Sequence, residues 1–141
     1  MPRTTTQNPV DDPQITLRLK HGIHTIFLFV MLDWTFRQVS AELLAILHER
    51  YPDGLTTCVL PSKITPVPKD GDVKIVYGVP RNANDLSKGW KVLQKQDNED
   101  TVFEARLRDL APVAFTLVSG DVLEENVVFD VDTPTIEEEE L

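Results

Sequence analysis

The chain is poor in the features that usually declare a chemistry. Among its 141 residues it holds one cysteine, Cys58, so no disulfide framework exists. Its three histidines, His21, His24 and His48, form no set of three or four converging ligands with Cys58, and a closed zinc site is not expected. A phosphate-binding glycine loop, a dinucleotide glycine fingerprint and a G-x-S-x-G elbow are all missing. The longest apolar run, Ile26 to Leu32, is far short of the ~20 residues a spanning helix needs. Basic charge is scarce, with a net charge of -9, which argues against nucleic-acid binding through a basic face. The opening residues lack a basic start followed by an apolar run, so no signal peptide is expected. These absences favour a cytoplasmic or nuclear, reducing compartment.

What is present is unevenly placed. Residues 119–141 carry nine acidic side chains and no basic one, while residues 1–118 balance fourteen of each. A neutral body can pack a core, and the excess charge forms a self-repelling strip. The expected organisation is a disordered arm over residues 1–13, a domain over 14–118 and an acidic tail over 119–141.

Within the body, Gln14 to Lys20 alternates, with Ile15, Leu17 and Leu19 on one side and Thr16, Arg18 and Lys20 on the other. That is the period of a half-buried strand. His21-Gly22 follows, then the β-branched and aromatic run Ile23 to Val30, so a hairpin is expected. A two-residue loop at His21-Gly22 pairs Lys20 with Ile23 and Leu17 with Ile26. Ile15, Leu17, Leu19, Ile26, Leu28 and Val30 then share one face, and Thr16, Arg18, Lys20, Ile23, Thr25, Phe27 and Phe29 share the other. Thr35 and Gln38 form a T-x-x-Q capping box ahead of an apolar stripe of Phe36, Val39, Leu43, Ile46 and Leu47, which predicts a helix over Thr35 to Arg50.

Leu55 to Asp72 is irregular, since Pro61, Pro66 and Pro68 exclude a long helix or central strand. Val73 to Val79 reads as a strand. Trp90 to Leu93 fits a short strand or one helical turn, and Thr101 to Leu107 and Val113 to Val118 read as further β runs. Strands gathered around one helix predict an α+β fold, a mixed sheet of four to five strands packed on one main helix.

The hairpin ITLRLKHGIHTIFLFV, the capped helix TFRQVSAELLAILHERYP, the strand DVKIVYGVP and the closing VAFTLV resemble the ubiquitin-like β-grasp family, and within it the elongin B-like members. The resemblance covers about Gln14 to Val118. It implies a non-catalytic recognition domain, an adaptor or scaffold subunit of a multi-protein complex. The long proline-rich connection after the helix departs from the family pattern. The closing Glu137 to Leu141 lacks the Gly-Gly of conjugated modifiers, so conjugation to targets is not expected.

Several side chains have both a bland and a functional reading. His21 and His24 read as turn residues at the surface, His48 as a favourable charge near a helix C-terminus, and Cys58 as a small buried or half-buried thiol. A pocket near Cys58 and the Pro61–Pro68 segment is the alternative expected of a small enzyme or ligand-binding protein. Arg18, Lys20, Ile23, Phe27 and Phe29 have the composition of an interface core and are the candidate partner-binding residues for a protein partner docking on the outer face or edge. The bland reading is that the proline-rich segment or the tail folds over them. In the tail, Val127, Val128, Phe129 and Val131 beside acids form a candidate motif for adding a strand to a sheet edge. Composition alone favours a solubilising, unstructured tail. No catalytic residue, cofactor, metal, nucleic acid or membrane is expected.

Overall fold

A computed structural model of the chain describes residues 14–59, 62–67, 73–119 and 127–131. Among them, seven strands and one α-helix follow in order: β1 (Gln14–His21), β2 (His24–Met31), α1 (Phe36–Arg50), β3 (Leu55–Cys58), β4 (Lys63–Thr65), β5 (Val73–Pro80), β6 (Trp90–Val92) and β7 (Ala111–Ser119). Five of the strands make one mixed sheet in the order β2-β1-β7-β5-β6, and β3-β4 make a separate two-stranded ribbon. β1 and β7 run parallel at the centre, and the other neighbours in the sheet are antiparallel. The fold is α+β.

Alternation decides which side of the sheet the helix covers. Ile15, Leu17, Leu19, Ile26, Leu28 and Val30 point to one face with Ile75, Tyr77, Val113 and Phe115. Phe36, Val39, Leu43 and Leu47 of α1 join the same core, while Ile46 packs at its margin. Burying a side chain of this size contributes about 1.5–3 kcal/mol. The helix begins as the capping box requires, with Thr35 accepting from the Gln38 backbone and Gln38 accepting from that of Thr35. Two more of its unpaired N–H groups, those of Phe36 and Arg37, donate to the carbonyls of Asp100 and Asn98.

The hairpin register differs from the sequence expectation. His21 pairs with His24, Lys20 with Thr25, and Leu17 with Leu28, so the loop is Gly22-Ile23. Gly22 adopts φ 57, the left-handed conformation that a tight turn demands, and a Cβ there would lie 2.1 Å from the Thr56 carbonyl oxygen. The shift moves every pair by two residues in sum, an even step, so the strands keep their faces. Ile23 moves from the outer face to the turn, and His21 from the loop into β1.

Thr101 to Leu107 is not a strand. Thr101 and Glu104 hydrogen-bond reciprocally, each side chain to the other's backbone N–H, and the Ala105 N–H returns to the Thr101 carbonyl. This T-x-x-E box turns the chain where its apolar content suggests extension. Leu55 to Asp72, expected to be irregular by its prolines, contains the β3-β4 ribbon, which stands outside the main sheet.

Candidate partner face

The sheet face opposite the helix is built from the even-numbered residues of β1, β5 and β7 and the odd-numbered residues of β2. On its β1-β2 half, Arg18 stands opposite Phe27, Thr16 opposite Phe29, and Lys20 opposite Thr25. Phe27 is 59% exposed and Phe29 64% exposed. Single exposed apolar residues are ordinary, but two phenylalanines at alternate positions of one strand make a contiguous apolar surface. Arg18 Nε donates to the Leu110 carbonyl at 2.8 Å, and Lys20 Nζ donates to Thr25 Oγ1 at 3.0 Å. These bonds orient both cations without neutralising either. Among the described residues the ion pairs are Arg37–Glu99 and Lys63–Asp130, so neither Arg18 nor Lys20 has a carboxylate partner there. Partial burial, and then the neighbouring Arg18 charge, hold the Lys20 pKa below its ordinary value. Ile23 lies at the hairpin tip, half exposed, with its N–H donating to the Thr56 carbonyl.

The β5-β7 half of the same face is different. Val76, Ala114 and Thr116 are buried. Gly78 leaves room that the Phe129 ring takes up, since a Cβ at Gly78 would sit 2.6 Å from that ring. Beyond Phe129, the Asp130 carbonyl accepts from the Gly22 N–H at 2.6 Å, Val131 forms a parallel bridge with Gly22, and Lys63 pairs with the Asp130 carboxylate at 3.9 Å. Composition assigns Val127 to Val131 to an unstructured tail. The structure corrects this: its four candidate residues belong to a segment held against this chain's own body, with Phe129 inward and Val128 exposed. The strand addition also expected of them is seen only as the single bridge at Val131. Phe27 and Phe29 stay open: neither this segment nor the described part of the proline-rich connection covers them.

His21 has the sequence position of a surface turn residue, and the structure overturns that reading. It is buried, with Nδ1 donating to the Phe115 carbonyl at 3.0 Å and Nε2 3.1 Å from both the Thr57 and Thr65 hydroxyls. A carbonyl only accepts, so a proton sits on Nδ1, and in the neutral ring that burial favours Nε2 accepts from threonine. His24 Nε2 accepts from the Thr56 backbone N–H at 2.9 Å, and its ring meets Tyr51 edge-on. Burial lowers the pKa of both histidines, and the bond that His24 Nε2 accepts from the Thr56 N–H requires a neutral ring. Together they tie the hairpin tip to the β3-β4 ribbon. The signal for His21 lies in the sequence, because it continues the buried alternation of Ile15, Leu17 and Leu19.

No protein-family model and no curated protein matches this chain. Seven chains of solved structures resemble it. One belongs to a structure described as "MycP5-free ESX-5 inner membrane complex, State II", with a TM-score of 0.47 and 9% sequence identity over 82% of this chain. This chain spans 24% of that chain's length.

Of the remaining candidates, Cys58 is half-buried in β3 and His48 is exposed near the helix C-terminus. No group of three or more His, Cys, Asp or Glu side chains among the described residues is placed to hold a metal. A groove of 620 Å3 is lined by Leu32, Lys95, Phe103, Glu104, Arg106 and Leu107, which include neither Cys58 nor any residue of the 61–68 connection. No helix among the described residues is long and apolar enough to cross a membrane.

Proposed function

We propose that this chain is a non-catalytic ubiquitin-like β-grasp module, an adaptor or scaffold subunit that docks a protein partner on its β1-β2 face. The β-grasp reading is supported by an antiparallel β1-β2 hairpin, a last strand inserted parallel beside the first, and one helix crossing the sheet. The adaptor reading rests on one observation. Phe27 and Phe29 are exposed side by side, next to two cations that have no carboxylate partner among the described residues, while the opposite face is filled by the helix. Aromatic residues with arginine, surrounded by polar rim, are the composition of interaction hot spots. A rigid sheet presents such a patch at little cost in conformational entropy. The likeness of hairpin and helix to elongin B extends the proposal to a subunit of a ubiquitin-ligase or elongin-like assembly, in the cytoplasm or nucleus.

The test is affinity capture of the full chain from its native cells, compared with a Phe27→Ser/Phe29→Ser variant. A stoichiometric protein partner retained by the parent and lost by the variant, with the thermal transition unchanged, supports the reading. Unaltered capture by a folded variant removes this face from the proposal.

A further inference from the structure

We propose that Gly78, the Gly22 N–H and Lys63 form a recognition site for an extended segment of a partner protein. The site takes an aromatic, an acidic and a β-branched residue in succession, and this chain's own Phe129, Asp130 and Val131 fill it until such a segment displaces them.

Each of the three residues is held by a different feature. The Phe129 ring occupies the space left on β5 by the missing Cβ of Gly78, 2.6 Å from where that atom would stand. The Asp130 carbonyl accepts from the Gly22 N–H at 2.6 Å, and its carboxylate meets Lys63 at 3.9 Å. Val131 bridges to Gly22 in parallel. Val128, just before them, is 72% exposed, so that position is left unselected. A socket for one side chain, a main-chain bond and a charge are the means by which extended peptides are held against a sheet.

The site belongs to the body of the domain. Gly78 lies in β5 and Gly22 in the turn of the β1-β2 hairpin, and Ala114, the register neighbour of Gly78 on β7, is fully buried. The floor is therefore strand that is already paired, and binding orders little beyond the ligand itself.

The segment that fills the site is separable from the fold. Among the described residues, neither Phe129 nor Val131 belongs to the hydrophobic core or to the apolar side chains packed against it. Phe129 is half-buried. The Lys63–Asp130 pair is largely exposed, which keeps it weak. A short tether presents such a segment at an effective concentration of about millimolar order. A partner segment that makes the same three contacts and adds others of its own displaces it.

Reach favours a partner over a second copy of this chain. Ser119 pairs with Val73, and Gly78 lies five residues further along β5, about 17 Å at the rise of a strand. The ten residues from Ser119 to Phe129 can extend about 33 Å. The chain reaches its own socket with slack, and exchange between copies gives the same contacts without the tether. The site lies on the other half of the outer face from Phe27 and Phe29 and stands whether or not those rings dock a protein.

The experiment titrates the full 15N-labelled chain, as parent and as Phe129→Ala/Asp130→Ala, with a capped synthetic peptide of residues 127–131. In the variant the peptide should give saturable amide shifts at Gly22, Lys63, Gly78 and their neighbours. The parent should need about ten-fold more peptide or worse, because the tethered segment competes. A peptide carrying Phe129→Ala should give no shifts. The proposal is overturned by no saturable shift up to about 10 mM, several times the effective concentration of the tether. Equal titration of parent and variant, or equal binding of the Phe129→Ala peptide, also overturns it. Lys63→Glu, an exposed substitution, serves if the double variant loses its cooperative thermal transition. On that chain a peptide with Asp130→Lys should bind a few-fold tighter than the unaltered peptide, and an unchanged preference overturns the proposal. A parent with the mass of two chains by light scattering, returning to one in the variant, gives the site to a second copy and overturns it too.

Discussion

The two halves of the outer sheet face share one sheet and one pleat, yet one is covered and the other open. On β5 and β7 the covered stretch of the outer face is formed by Val76, Gly78, Ala114 and Thr116, small or β-branched, and Phe129 lies against the gap at Gly78. On β1 and β2 the outward positions are Arg18, Lys20, Thr25, Phe27 and Phe29, mostly long or aromatic, and two rings stand in the open. The difference shows how a sheet sorts cover from surface. A strand with little side chain accepts a ring from elsewhere in the chain, and a strand that already carries rings and cations presents them. Gly22 is the joint, since it holds the hairpin turn and the Asp130 carbonyl together.

The sharpest way to break this contrast is at the joint. Gly22→Ala forces a side chain into the left-handed region, costing about 1–2 kcal/mol, and overpacks against the Thr56 carbonyl, costing about another 1–3 kcal/mol. Urea denaturation should show a loss of about 2–5 kcal/mol, the sum of those two effects. A loss under about 1 kcal/mol would mean that the hairpin tip is not anchored.

Next in size, Phe129→Ala should cost about 1–3 kcal/mol, below the full value for a buried ring because Phe129 is only half-buried. Phe27→Ala or Phe29→Ala should stay within about 0.5 kcal/mol of the parent. Equal losses on the two halves would erase the distinction.

The anchoring histidines give the contrast a pH dependence. His21 and His24 have pKa values lowered by folding, so the unfolded chain binds their protons more readily. Their contribution is complete above the unfolded value of about 6.5 and declines as pH falls through it toward the folded pKa. The slope from His21 cannot exceed about 1.4 kcal/mol per pH unit for one proton. Denaturation midpoints should be lower at about pH 5 than at about pH 8, on either side of the unfolded value, and His21→Gln should reduce the difference. A midpoint that rises on acidification would contradict the neutral hydrogen bonding.

The smallest effect belongs to the open half. Arg18→Gln should raise the Lys20 pKa while leaving it below its ordinary value, because burial is the larger cause. NMR titration of the Lys20 side chain measures it. A full return to the ordinary value would mean that the Arg18 charge, and not burial, holds the ammonium down.

Much of this arrangement is legible in residue order. Period-two alternation places Ile15, Leu17, Leu19, Ile26, Leu28 and Val30 under the helix, and the Thr35–Gln38 box marks where that helix starts. The outer-face residues Arg18, Lys20, Phe27 and Phe29 follow from the same parity, which an even register shift leaves intact. Thr101 to Leu107 misleads because its apolar content has no clear period, and the Thr101–Glu104 box chooses the turn. His21 misleads when its polarity is weighed above its parity.

Strand and helix periodicity are local, each set by a few neighbouring residues, so the chain's own order determined the core, the helix cap and the two-sided ribbon. The pairing of β7 with β1, the loop residues of the hairpin and the seating of Phe129 at Gly78 each join positions far apart in the chain or competing turn geometries of similar local preference. Only the folded molecule could decide them, because the energy that selects among them appears when distant surfaces meet.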